Sequence, residues 1–126
     1  MIKVVAAFIE KDNKVLIAKR STGDKNVLGK WEFPGGKVKE KELEETAIKR
    51  EIKEELNIEI KAISFITNVV YKYPKKTVDL RLYKCEYISG EIKLYDHSDY
   101  IWIEKEKILD LDLAPADIPL AKFINN

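Results

Sequence analysis

Apolar positions run almost unbroken from Ile2 to Ile9 in "IKVVAAFIE", a segment rich in β-branched residues, and predict a buried first strand. "KDNK" reads as a turn, and "VLIAKR" as a second strand hairpinned to the first. "STGDKNVLGK" is a polar loop. "WEFPGGKVKEKE" contains a Pro-Gly-Gly breaker that predicts a tight backbone turn. From about Leu43 the period changes. Ile48, Ile52 and Leu56 recur every four residues, the stripe of a helix running to Leu56. Asn57 follows, where a helix often ends in a left-handed residue. No Ser, Thr, Asp or Asn precedes this helix as an N-cap.

"IEIKAISFITNVVYKY", "TVDLRLYKCEY" and "YIWI" then read as strands, with turns at "PKK" and "SG". "EKEKILDL" reads as a short helix. "ADIPLAKFINN" reads as a C-terminal helix with Ala121, Phe123 and Ile124 available for packing. Strands, one helix, more strands and a terminal helix make an α/β protein, an α/β/α sandwich around a mixed β-sheet. No repeat, linker or low-complexity tract divides the 126 residues, so a single domain over 1–126 is expected.

The helix carries an unusual face. Glu51, Glu54 and Glu55 fall within an arc of roughly 100°. Like charges at i,i+3 and i,i+4 cost about 0.2–0.5 kcal/mol each. Lys49 and Lys53 lie on nearly the opposite face, so the repulsion lacks a remedy within the chain. A divalent cation would turn it into attraction, because hard cations take carboxylate oxygens. A solvated charged face is the plainer reading of the heptapeptide alone. The preceding "PGG" and Lys37 favour the metal, since they offer a backbone open to close approach and a cation for phosphate.

Composition changes this picture little. The charged fraction is 36%, but the net charge is +1, so no bulk field draws the chain to a nucleic acid polymer or a membrane surface. The Lys/Glu richness suits a thermophile or an AT-rich coding bias equally. Cys85 stands alone, which excludes an intrachain disulfide and is compatible with a reducing, cytoplasmic setting. The N-terminal apolar run is too short to span a bilayer and has no cleavage-site pattern.

"GKVKEKELEETAIKREIKEELNI", residues 36–58, resembles the Nudix box. Gly36, Glu42, Arg50, Glu51, Ile52, Glu54, Glu55 and Ile58 match it in register, while Asn57 replaces the usual glycine. Lys41 stands where many members carry glycine, which leaves the loop geometry there open. "WEFPGGK" and the tail "LAPADIPLAKF" are similar to the MutT-type branch, the tail particularly to bacterial CTP pyrophosphohydrolases. The resemblance implies a nucleoside triphosphate substrate cleaved to monophosphate and pyrophosphate, by a monomer or homodimer.

It also implies roles. Glu51, Glu54 and Glu55 ligate Mg²⁺ or Mn²⁺, helped by the carbonyl of Gly35. Glu42 and Arg50 form a pair that orients the carboxylates. Arg20 and Lys37 meet phosphate. Asp96 binds metal or helps activate water. The metal clamps phosphate oxygens and acidifies the attacking water, with Glu51 or Glu54 as the base. Tyr73 lies against the nucleobase and Asp117 reaches its edge. An ionised Asp117 only accepts, which suits the N4 amine of cytosine and is the preferred reading, favouring cytidine nucleotides including modified deoxycytidine triphosphates. A buried, protonated Asp117 would instead donate to a purine carbonyl, as an 8-oxo-dGTP diphosphatase requires. A nucleotide-binding module without catalysis is a third reading, weakened by the complete set of carboxylates.

Other residues have plain readings. His97 reads as a loop residue, with catalysis the lesser option. Trp102 reads as core, and Trp31 as packing beneath the box rather than lining the base pocket. Cys85 reads as a buried small side chain, and Lys75 and Lys76 as a solvated turn.

Overall fold

The computed structural model describes residues 1–126. Seven strands form one mixed sheet: β1 (Ile2–Lys11), β2 (Lys14–Arg20), β3 (Trp31–Glu32), β4 (Gly35–Lys37), β5 (Glu59–Lys72), β6 (Thr77–Ser89) and β7 (His97–Ile103). Helix α1 spans Glu44–Leu56 and α2 spans Asp117–Ile124, with a 3-10 helix at Lys105–Asp110 where a short helix was expected. The main path runs β3-β2-β1-β6-β5, with β4 on β1 and β7 on β2. β1 and β6 are parallel from Ile2↔Val78 to Glu10↔Glu86, and the other pairs are antiparallel.

Alternation along β1 builds both faces. Val5, Ala7 and Ile9 pack with Ala47, Ile48, Ile52 and Leu56 of α1. Ala6 and Phe8 pack on the other side with Leu120 and Ala121 of α2 and Ile108 of the 3-10 helix. The result is the expected α/β/α sandwich. The stripe on α1 is fully buried, and each Ile or Leu there contributes about 1.5–3 kcal/mol. Leu43 precedes α1 without a side-chain cap, and Asn57 closes it at φ 62°, ψ 24°, its N–H donating to the Lys53 carbonyl. Both features match the sequence reading. Lys41 adopts φ 64°, the conformation for which glycine is the usual residue.

The feature that places the site is a split in the sheet. β1 and β2 pair only at Glu10↔Val15 and Lys11↔Lys14 and then separate. β3 continues on β2, through Ala18↔Glu32 and Lys19↔Trp31. β4 continues on β1, through Val4↔Lys37, Val5↔Gly36 and Ala6↔Gly35. The tight turn expected at Pro34-Gly35-Gly36 is therefore absent. Both glycines lie in an extended strand, and their lack of a side chain serves close approach. A Cβ on Gly35 would overlap the Val5 carbonyl, and one on Gly36 would overlap the Glu51 carboxylate.

The two glycines should fail differently. Gly35→Ala meets backbone that cannot yield, so it should cost about 1–3 kcal/mol in urea unfolding. Gly36→Ala meets only the end of a side chain, so the loss should stay below about 1 kcal/mol while Glu51 moves.

Candidate active site

Arg50, in the second turn of α1, collects the acidic groups around it. Its Nε and Nη2 donate to the two oxygens of Glu42 at 2.8 and 2.9 Å. Nη1 donates to Glu51 at 2.8 Å and Glu54 at 3.2 Å, and Nη2 also reaches the Lys37 carbonyl at 3.1 Å. The Arg50 hydrogen bonds, then the Lys39 N–H, hold the Glu42 carboxyl down at about 2. These bonds, to Glu42 first, push Arg50 still higher. The expectation that the helix repulsion has no remedy within the chain is thus corrected. Arg50 sits beside the acidic arc, and its long fork spans a helical turn to bridge Glu51 and Glu54.

Glu55 has no such partner. Its Oε2 is buried and makes no hydrogen bond. Desolvation first, then the negative charges of Glu32, Glu51 and Asp96, push its carboxyl up to about 8, with Arg20 opposing. An unsatisfied buried carboxylate oxygen facing other carboxylates fits a divalent cation, whose charge would satisfy them together. No three acidic, histidine or cysteine side chains converge into a ready-made ligand cluster. Glu51 and Glu54 are turned instead towards Arg50.

Facing α1 across the split stand residues of β2, β3 and β7. Arg20 donates from Nη1 to Glu32 at 3.3 Å and from Nε to the Thr22 carbonyl at 3.2 Å. Asp96 lies exposed in the loop before β7, its carbonyl accepting from the Ser21 hydroxyl at 2.6 Å. A cleft reaching from the split to the α2-side cluster is lined by Arg20, Asp24, Glu32, Tyr73, Lys76 and Asp117, among others. Tyr73 is buried and its hydroxyl accepts the Ala116 N–H at 3.2 Å. Asp117 opens α2, and its Oδ2 accepts the Phe33 N–H at 2.8 Å. Burial first, then Glu32, raise the Asp117 carboxyl well above the usual range, against the Phe33 hydrogen bond and Arg20. The ionised Asp117 preferred from sequence is therefore disfavoured by its surroundings.

The structure thus groups Glu42, Glu51 and Glu54 on Arg50, while Glu55 lies within reach of the charges of Glu32, Glu51 and Asp96. Arg20, Tyr73 and Asp117 share the cleft. Gly35 pairs with Ala6 at the floor of the split. Lys37 is exposed at the end of β4 and does not line the cleft. His97 is no loop residue. It begins β7, buried, with Nε2 2.9 Å from Glu32 Oε2. Trp31 packs on the α2-side cluster, not beneath the box, with Lys19 over its ring. Trp102 is partly buried against the α1-side cluster, and Cys85 is buried. Glu32 carries no expectation from the sequence, although an acid between two aromatics in "WEFPGG" is a signal in itself; its carboxylate contacts both Arg20 and His97. Lys75 and Lys76 stand exposed in the turn between β5 and β6, as expected, and Lys76 also borders the cleft beside the Tyr73 ring.

Comparison with known proteins gives the family and the fold. Residues 1–124 match the NUDIX domain family. The chain is 37% identical over 120 residues to the CTP pyrophosphohydrolase of Escherichia coli (strain K12), covering 95% of this chain and 88% of that protein. It is 35% identical over 99 residues to the 8-oxo-dGTP diphosphatase of Buchnera aphidicola subsp. Schizaphis graminum, covering 79% and 72%. Among solved structures, the E. coli ORF135 protein superposes with TM-score 0.86 at 34% identity, covering 99% of this chain and 89% of that one. The MutT protein of Methanosarcina mazei Go1 superposes with TM-score 0.85 at 30% identity, covering 98% and 90%. No helix is long and apolar enough to cross a membrane.

Glu55 makes stability depend on pH in a definite sense. Between the ordinary value of 4.5 and the folded value of about 8 the unfolded chain holds fewer protons, so stability falls as pH rises through that window. Metal-free protein should show a falling Tm across it by calorimetry. Millimolar Mg²⁺ should restore Tm more at the alkaline end than at the acid end. Glu55→Gln should remove most of that gain.

Proposed function

The chain belongs to the Nudix family and is a Nudix hydrolase, and from that premise we propose that it hydrolyses nucleoside triphosphates to the monophosphate and pyrophosphate with Mg²⁺ or Mn²⁺. The observation that carries this reading is the pairing of an Arg50-organised carboxylate set with the unpartnered Glu55 oxygen, across a split from Arg20. Glu51, Glu54 and Glu55, with the Gly35 carbonyl and Asp96, would hold the metal, which supplies charge neutralisation at the phosphates and a more acidic water. The protein's own part is placement. Arg50 fixes Glu51 and Glu54, and Glu42 fixes Arg50. Arg20 faces the substrate phosphates, and Lys37 offers a more distant charge. Glu51 or Glu54 takes the proton of the attacking water.

The base sits by Tyr73 and Asp117 in the cleft. A neutral Asp117 offers one donor and one acceptor. Cytosine presents a complementary pair in N3 and the N4 amine, and guanine does so in O6 and N1–H. The carboxyl therefore fits either base. Cytidine nucleotides are favoured by the likeness of the whole chain to a CTP pyrophosphohydrolase. An 8-oxo-dGTP diphosphatase, the name carried by other relatives, is the second reading. Cellular placement in the cytoplasm and action as one domain, monomeric or dimeric, accompany this proposal.

The test is a panel of CTP, dCTP, 5-methyl-dCTP, dGTP and 8-oxo-dGTP with Mg²⁺, read as pyrophosphate release. Cytidine triphosphates should give the highest kcat/KM, and Glu54→Gln should lower it by roughly 100-fold or more. A panel with no turnover refutes the proposal, and a strong preference for 8-oxo-dGTP moves it to the second reading.

Asp117→Asn tests the carboxyl. Asn keeps one donor and one acceptor, so kcat/KM near neutrality should stay within about threefold. Wild type should lose activity as rising pH ionises Asp117, and Asp117→Asn should lack that loss.

A further inference from the structure

His97 is left unused by the proposed chemistry, yet the fold takes an irregular course to place it. In the ladder between β2 and β7, Lys19 pairs with Asp99 but Arg20 pairs with His97, so Ser98 is an extra residue in β7. A bulge of this kind reverses the alternation of side chains beyond it. Without it His97 would share a face with Asp99 and Ile101, on the side where Ile17 meets the α2 cluster. With it His97 falls on the face of Arg20 and Ala18. Glu32, paired with Ala18, lies on that same face. The bulge therefore brings three residues from three strands together.

The contact they make is directional. Glu32 uses both carboxylate oxygens. Oε2 meets His97 Nε2 at 2.9 Å, and Oε1 accepts from Arg20 Nη1 at 3.3 Å. A carboxylate with a donor on each oxygen cannot rotate freely, and it presents a fixed acceptor to the guanidinium. The acceptor role of Glu32 selects the His97 tautomer with its proton on Nε2. The His97 side chain is 3% exposed, which locks the ring between strands.

We infer that His97 is a positioning residue for phosphate binding: through Glu32 it holds the Arg20 guanidinium where it lines the cleft. This rests on the reading of Arg20 as a phosphate contact. His97 touches neither substrate nor metal in this arrangement. Its effect is on how much ordering Arg20 must undergo when a triphosphate arrives, and so on KM more than kcat.

Two variants separate this from mere packing. In His97→Gln the amide N–H reaches the place of Nε2, whereas in His97→Asn it falls short at the place of Nδ1. With the best triphosphate, His97→Asn should raise KM about tenfold and leave kcat within about twofold, and His97→Gln should recover most of the loss. In an Arg20→Ala background the step from His to Asn should change KM by less than about twofold, because its target is gone.

A readout without turnover accompanies these: the Arg20 Nε–H resonance of nucleotide-free protein. It should be sharp in wild type and His97→Gln, and broadened by exchange in His97→Asn. If no triphosphate is hydrolysed, the proposed function fails, while this resonance still decides the role of His97. An unchanged Arg20 signal in His97→Asn, or an undiminished KM effect without Arg20, overturns the inference. Should His97→Asn not fold, Glu32→Gln, which keeps the shape of the link without its charge, has to raise KM to the same extent or the inference falls.

Discussion

Two residues without side chains, Gly35 and Gly36, separate β1 from the carboxylate of Glu51, and the rest of the molecule depends on how little room they take. On one side the Val5 carbonyl lies where a Cβ would be, and on the other the Glu51 carboxylate does. This closeness lets β4 pair with β1 while α1 packs directly over it. The acidic ridge of α1 is thereby brought to the split in the sheet. The same residues pull the Pro34 carbonyl into a hydrogen bond with the Ala7 N–H at 2.8 Å, which fixes the crossing from one half of the sheet to the other.

Once the ridge is there, its charges must be managed. Three of the four box glutamates share one guanidinium, and the fourth shares none. The division has a chemical logic. Arg50 orients the carboxylates bound to it, whereas the buried, unpartnered Glu55 oxygen is relieved only by taking up a proton or a cation. The Asp117 carboxyl is raised by burial as well, but it satisfies the Phe33 N–H and so needs no cation.

Much of this was legible beforehand. The stripe Ile48, Ile52, Leu56 marked α1 because a helix buried on one face leaves its period in the chain, and Asn57 marked its end because few residues tolerate that conformation. Residues of the box could be placed in register for the same reason, since one rigid helix carries most of them. What escaped were relations between elements. The reach of Arg50 across Glu51 and Glu54 depends on its rotamer. The extra residue at Ser98 is a fact about pairing with β2, invisible in β7 alone. Proline and glycines suggested a turn at residues 34–36, and only the neighbouring strand explains why they are extended. Asp117 looked like a free acceptor because its burial comes from the docking of α2.

The parting of β1 from β2 has a mechanical meaning. β5, β6, β1 and β4 make one plate, over which α1 mainly lies, and β7, β2 and β3 make another. Along the sheet the two are laced directly at the far end, at Glu10–Lys11 and Lys14–Val15, and bridged at the near end by Phe33 and Pro34. No strand ladder therefore fixes the distance between the carboxylates carried over one plate and the guanidinium of the other; that span is set by side-chain packing above and below the sheet.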